Sequence, residues 1–174
     1  FIDHTKKELT VGEIKTVVSG ALDLGASLVI YVGGEPLLRK ELFELIEYVD
    51  KTKAIAMIFT NGLLLTEENV KKLAEAGLAS LNISIDSSEP GLHNEFRVVP
   101  GCYEKAFEGA ERCRKAGILT GISTYATSEG IKNGSVEKLD YNKTFKAGDE
   151  LILTLKRDNN TNLGGITLKF SSDG

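Results

Sequence analysis

The chain is expected to be an α/β protein: a partial (β/α) barrel on a parallel sheet, followed by a small C-terminal antiparallel β unit. Three observations lead there. Apolar runs of strand length alternate with segments of helical period; a unit of helix, glycine and apolar strand recurs at Gly25, Gly77 and Gly117; and this alternation gives way near residue 128 to two strand-like runs around a turn-rich loop. Neighbouring parallel strands need crossover connections, which wind right-handed. About four strands with helices on one side make part of a barrel and not a closed one.

Taken in order, Thr10 and Glu13 form a capping box, in which hydroxyl and carboxylate satisfy the free amides of a helix start. Val11, Ile14, Val17, Val18, Ala21 and Leu22 then recur at helical spacing as one apolar face, and Gly25 closes the helix. A strand follows over 28–32. Leu38, Leu42, Leu45, Ile46 and Val49 predict a second helix feeding a strand over 54–59. Thr66 caps a third, with Val70, Leu73 and Ala76 inward, before a strand over 80–83. A fourth helix runs from about Gly101 to Ala116, and Ile118 to Ala126 reads as another strand.

Composition bounds the function. With 174 residues, 41% of them hydrophobic and 26% charged, the chain has the makings of one substantial core. A net charge of -4 leaves no basic footprint, so nucleic acid is not an expected partner. No apolar run approaches the roughly 20 residues that span a bilayer and no signal peptide opens the chain, so no membrane association is expected and the cytoplasm is the expected location. Two cysteines make no disulfide framework; Cys113 shares a helical face with Tyr103, Ala106 and Ala110 and is expected inside, Cys102 at the helix start outside. His4 and His93 have no neighbouring ligand at metal spacing, and His93 is expected in a loop or at the surface.

The strand ends carry the chemistry. The run from Leu28 to Val32 breaks into Gly33, Gly34, Glu35 and Pro36; the next ends in Thr60, Asn61 and Gly62; the third in Ser84, Ile85 and Asp86. In α/β proteins ligands gather at the carboxyl ends of strands. Two glycines let a ligand approach the main chain closely, Glu35 offers a carboxylate, and Pro36 fixes the next dihedral. Downstream come His93 and Arg97, then Pro100, Gly101 and Tyr103.

As an ordered set over roughly residues 8–127, these motifs resemble the radical SAM (S-adenosylmethionine radical enzyme) family, particularly its peptide-modifying and cofactor-maturing branch. The resemblance implies S-adenosylmethionine and a [4Fe-4S] cluster as cofactors, with reductive cleavage to methionine and a 5′-deoxyadenosyl radical that abstracts hydrogen from a small-molecule or peptide substrate. It also implies residue roles. Gly33, Gly34 and Glu35, with Pro36 behind them, match the segment that receives the methionyl amino group; Ser84 and Asp86 match a tip near the ribose; Thr60 and Asn61 match a tip lining the same cavity. Arg97 matches a basic residue that meets the methionyl carboxylate, work suited to a planar fork. The family's three-cysteine CxxxCxxC loop is missing. Cys102 and Cys113 lie after the glycine pair with ten residues between them, so the cluster is not expected on the chain as given, and residue 1 reads as lying just downstream of that loop.

The C-terminal part differs. The first 128 residues hold 14 Lys plus Arg and 18 Asp plus Glu, the last 46 hold 7 of each, and five of nine asparagines lie in that tail. Two units are expected, 1–128 and 129–174. Leu151–Leu155 and Ile166–Phe170 are strand-like, with Phe145, Leu151, Leu153, Leu155, Ile166, Leu168 and Phe170 on one face by the two-residue period. The tail faintly resembles an archaeal pilin-like β domain, which would imply an extracellular surface location. Two functions follow: part or divergent member of a radical SAM enzyme, or a non-catalytic fusion or surface protein acting through the tail. Open sheet edges invite self-association.

Overall fold

The computed structural model describes residues 8–124 and, as backbone, the strands at 152–155 and 166–169. The elements are α1 (Val11–Asp23), β1 (Leu28–Tyr31), a 3-10 turn (Pro36–Leu38), α2 (Leu42–Tyr48), β2 (Ile55–Thr60), α3 (Glu67–Glu75), β3 (Ser80–Ser84), α4 (Pro90–Arg97), α5 (Cys102–Lys115), β4 (Leu119–Ser123), β5 (Ile152–Leu155) and β6 (Ile166–Lys169). Strands β1 to β4 form one parallel sheet in sequence order, as the alternation of helix and strand predicts. Strands β5 and β6 pair antiparallel, Ile152 opposite Lys169 and Leu155 opposite Ile166. The expected buried face of that unit and the expected boundary near residue 128 lie outside the described residues.

Each strand turns alternate side chains to opposite faces. One face, with Ala56, Ile58, Leu81, Ile83 and Ile122, is buried under Val18 and Leu22 of α1, Ile46 of α2, Val70 and Leu73 of α3, and Ala106 and Cys113 of α5. The other carries Leu28, Ile30 and Ile55, each left exposed. The sheet is therefore a layer with one covered and one open face. Thr10 accepts from the Glu13 amide while the Glu13 carboxylate accepts from the Thr10 amide, so the capping box forms as expected. Thr66 caps α3 through the Asn69 amide, and Gly25, Gly77 and Gly117 adopt left-handed φ where their helices stop.

Some details differ. Val17 is 63% exposed, because a 13-residue helix on a sheet edge buries only the stripe through Val18 and Leu22. Leu38 is exposed in the 3-10 turn and α2 starts at Leu42, since Pro36 and the Glu35 cap close a separate turn first. A short helix, α4, fills the segment expected to be a loop; Pro90 at its first turn sets the starting dihedral. Cys102 is buried, contrary to expectation, its thiol donating to Asn94 Oδ1 at 3.2 Å. Cys113 is buried as expected, and burial pushes its thiol up to about 12.

Val98 ends α4 with φ 56° and is the one non-glycine left-handed residue among those described. A β-branched side chain there crowds its own backbone. Val98 is 84% exposed and returns little by packing. Val98→Gly should therefore stabilise the protein by about 1 kcal/mol, read as a rise in urea midpoint at unchanged slope.

Candidate functional site

The parallel sheet places the ends of β1, β2 and β3 on one rim, with two clefts. Gly33, Gly34, Glu35 and Pro36 line a cavity of about 670 Å³ together with Tyr31 and Arg39. Ser84, Asp86, Phe96, Arg97, Ser123 and Thr124 line a second of about 360 Å³. Between them stands the β2 tip. Neighbouring strands lie about 4.8 Å apart, so the tips of β1 and β3 are roughly 10 Å from one another.

Glu35 is the hub of the first cleft. Its Oε1 accepts from the Leu37 amide at 3.1 Å and the Thr60 hydroxyl at 2.8 Å, while its Oε2 accepts from the Asn61 amide at 2.8 Å. The Thr60 hydroxyl accepts in turn from the Gly62 amide, and Asn61 Oδ1 from the Leu63 amide. Thr60 and Asn61, to which the sequence assigned no role, thus fasten the second strand tip to the first. Pro36 is buried beneath, whereas both glycines are exposed. A Cβ on Gly33 or Gly34 would meet nothing within 4 Å, so no described atom crowds the space directly before them.

In the second cleft Arg97 Nε donates to Asp86 Oδ2 at 2.5 Å. This single-point contact fixes the guanidinium and leaves its two terminal nitrogens without a partner among the described residues, on a cleft wall beside half-buried Ser84 and Ser123. Thr124 Oγ1, also on that wall, is buried without a hydrogen bond. A free cationic fork and a buried unpaired hydroxyl are what a carboxylate-bearing polar ligand requires.

His93 proves to be a core residue, only 1% exposed, and not the surface residue expected. Its Nδ1 accepts from the Asp86 amide at 3.1 Å and its ring meets Tyr103 edge-on. Because Nδ1 is the acceptor, the ring is neutral with its proton on Nε2, and the Asp86 carboxylate 3.8 Å from Nδ1 is no ion-pair partner. Burial pushes the His93 pKa down, against the opposing pull of Asp86 and Glu104 and with the push of Arg97. The unfolded chain, titrating near 6.5, then binds the proton more readily than the fold. Stability from this residue is present above about pH 6.5 and lost as pH falls toward the lowered folded value. His93→Gln should flatten the stability profile below about pH 6.5, followed by urea unfolding.

Three supports escaped the sequence reading: the Glu35 tie to β2, the Asp86–Arg97 pair, and Asn94, whose Oδ1 accepts from the Tyr103 amide at 2.9 Å and starts α5. The segment from Glu89 to Arg97, with Pro90 at a first turn and His93 and Arg97 four positions apart, contained the signal for α4.

The family model of the Radical SAM superfamily matches residues 2–139. The chain belongs to the radical SAM superfamily. It is 35% identical over 124 residues to an AdoMet-dependent heme synthase of Oleidesulfovibrio alaskensis, covering 71% of this chain and 32% of that protein. A second AdoMet-dependent heme synthase, of Methanosarcina barkeri, is 35% identical over 144 residues, covering 83% and 39%. Among solved structures, Streptococcus suis SuiB bound to precursor peptide SuiA superposes with a TM-score of 0.66 at 17% identity, covering 85% of this chain and 33% of that one. The radical SAM chain spans about a third of the length of the curated relatives it matches.

The superfamily's two cofactors fit these residues differently. The open space before Gly33 and Gly34, the free Arg97 fork and the unpaired Thr124 hydroxyl suit S-adenosylmethionine, an amino acid joined to a nucleoside. The cluster has no such fit: Cys102 and Cys113 begin and nearly end one helix, about 16 Å apart by its rise, and both are buried. Among the described residues no group of three His, Cys, Asp or Glu could hold a metal.

Proposed function

We propose that this radical SAM chain is the S-adenosylmethionine-binding part of an enzyme whose substrate is a small molecule or a peptide. The observation that carries this reading is the rim itself: a glycine pair with open space at the end of β1 and a pre-fixed arginine fork beside the end of β3. In this reading the Gly33–Glu35 backbone takes the amino group, with Glu35 holding the loop in shape. The Arg97 nitrogens take the carboxylate, and Ser84 and Asp86 stand by the sugar. When bound in a complete enzyme, the cofactor supplies a 5′-deoxyadenosyl radical for hydrogen abstraction. This chain's part is binding, orientation and exclusion of water.

The superfamily match favours this reading over a non-catalytic surface protein. No described helix is long and apolar enough to cross a membrane. A cytoplasmic enzyme without a nucleic-acid partner, divided near residue 128, is the proposal that agrees with the charge of -4 and the change of pattern there. Self-association through the β1 edge, unpaired on its outer side among the described residues, belongs to the same proposal.

Calorimetric titration tests it. The wild-type chain should bind S-adenosylmethionine weakly but saturably, since the iron that would chelate its amino and carboxylate groups has no ligands here. Arg97→Ala should weaken binding by about tenfold or more, the worth of one charge-assisted contact. Equal affinity in both proteins would remove the carboxylate role from Arg97, and no heat of binding at any concentration would remove the reading.

A further inference from the structure

The Arg97 fork is held by one carboxylate oxygen, Asp86 Oδ2, and that oxygen has a second neighbour. His93 Nδ1 lies 3.8 Å from it and accepts from the Asp86 backbone amide at 3.1 Å. One edge of the imidazole therefore faces both the main chain and the side chain of the residue that aims Arg97. His93 and Arg97 stand one turn apart on α4, so both meet the loop that leaves β3. The His93 side chain is 1% exposed and that of Asp86 10%, so little water reaches the contact.

The two protonation states of the ring ask for different arrangements. A neutral Nδ1 takes the amide proton and offers nothing to the carboxylate, which leaves Oδ2 to Arg97. A protonated Nδ1 sets two donors face to face and makes Oδ2 its acceptor, so that two cations compete for one oxygen. From α5, Tyr103 meets the ring edge-on, Glu104 accepts from Asn94 Nδ2 at 3.4 Å, and the Cys102 thiol, pushed up by burial, donates to Asn94 Oδ1. Burial and the Arg97 charge outweigh the pull of Asp86 and Glu104, so the ring titrates below its ordinary 6.5.

We infer that His93 is a positioning residue: in its neutral form it sets the Arg97 fork through Asp86, and its protonation releases the fork. This rests on the proposed function, in which Arg97 meets the cofactor carboxylate, and it makes S-adenosylmethionine binding acid-sensitive. A fork fixed in advance loses little further freedom when a carboxylate arrives, whereas a released one must be ordered at that moment. The α-carboxyl and α-amino groups of an amino acid titrate near about 3.5 and about 8, so an acid midpoint clear of both belongs to the protein.

The test uses the full 15N-labelled chain from about pH 7 down to the onset of acid unfolding, which its amide spectrum reports. The sequence holds two histidines, so His4→Asn leaves the ring signals of His93 alone. The His93 ring nitrogens and the Arg97 Nε–H should titrate with one shared midpoint below 6.5. In calorimetric titration, S-adenosylmethionine affinity should fall through the same midpoint, approaching tenfold per pH unit, the limit for one linked proton. His93→Asn offers an amide oxygen in place of Nδ1 and takes up no proton. It should bind within about threefold of wild type at neutral pH and lose the acid fall. A ring that stays neutral until the chain unfolds, an Arg97 signal that ignores the ring, or an acid fall that persists in His93→Asn would overturn the inference. Should His93→Asn fail to fold, the wild-type titrations decide it, separate midpoints for ring, fork and affinity overturning it. A pH-independent affinity that Arg97→Ala still weakens would strike the inference and leave the proposed function standing. A shared midpoint of His93 and Arg97 without any cofactor binding would keep the coupling and strike the proposed function.

Discussion

Glu35→Ala is expected to destabilise the protein by about 3 kcal/mol, the largest effect among single substitutions at the rim. One carboxylate accepts from Leu37, Thr60 and Asn61, so its removal strands three donors at once. Thr60 is only 2% exposed, which denies its hydroxyl a replacement from water, while the half-buried Asn61 recovers part of its loss. Glu35→Gln keeps the shape but puts an NH₂ against one set of donors, and should fall between. In a thermal melt the alanine variant should lie roughly 6–12 °C below wild type. Because the loop that carries Gly33 and Gly34 is fastened through Glu35, S-adenosylmethionine affinity should drop with it. A Glu35→Ala variant melting within about a degree of wild type would show that water replaces the carboxylate and that the rim is held by something else.

Gly62→Ala should cost about as much by a different route. Gly62 has φ +83°, which a Cβ makes unfavourable by about 1–2 kcal/mol. That Cβ would also fall 2.9 Å from both Cα and Cβ of Ala106 in α5 and 3.1 Å from Ile83 Cγ2. Backbone of a packed helix cannot swing aside as a long side chain can, so an overpacking term of about 1–3 kcal/mol adds. Gly117→Ala separates the two causes. It has the same backbone strain, φ +79°, with nothing within 4 Å of its Cβ. Chemical denaturation should show Gly62→Ala losing about 2 kcal/mol more than Gly117→Ala. Equal losses would mean that the β2 tip is looser against α5 than its packing implies.

What could be read from the sequence was local or periodic. The Thr10–Glu13 cap, the Thr66 cap, the glycine stops and the burial of Val70, Leu73 and Cys113 all follow from spacing along the chain. The motif order of Gly33–Pro36, Thr60–Asn61, Ser84–Asp86 and Arg97 announced the superfamily, because each motif closes an apolar strand run and a parallel sheet must gather such ends on one rim. Contacts between distant residues could not be read this way. That Glu35 would serve Thr60 and Asn61, 25 and 26 residues away, depends on the register of β1 against β2. His93 and Cys102 were misjudged for the same reason: each lies in a polar stretch that looks exposed until α4 folds against α5, which turns both inward. Val17 erred oppositely, its apolar character matching a face wider than the sheet edge covers.

The central claim is that the tips of β1 and β3 hold the two ends of one S-adenosylmethionine molecule. Backbone amide mapping with the 15N-labelled chain tests it most directly. On titration the Gly34 and Ser84 amides should shift along a single isotherm with one dissociation constant, and the Arg97 side-chain Nε–H signal with them. Shifts confined to one tip, or two tips moving with different constants, would contradict a shared cofactor and leave the two clefts as separate sites.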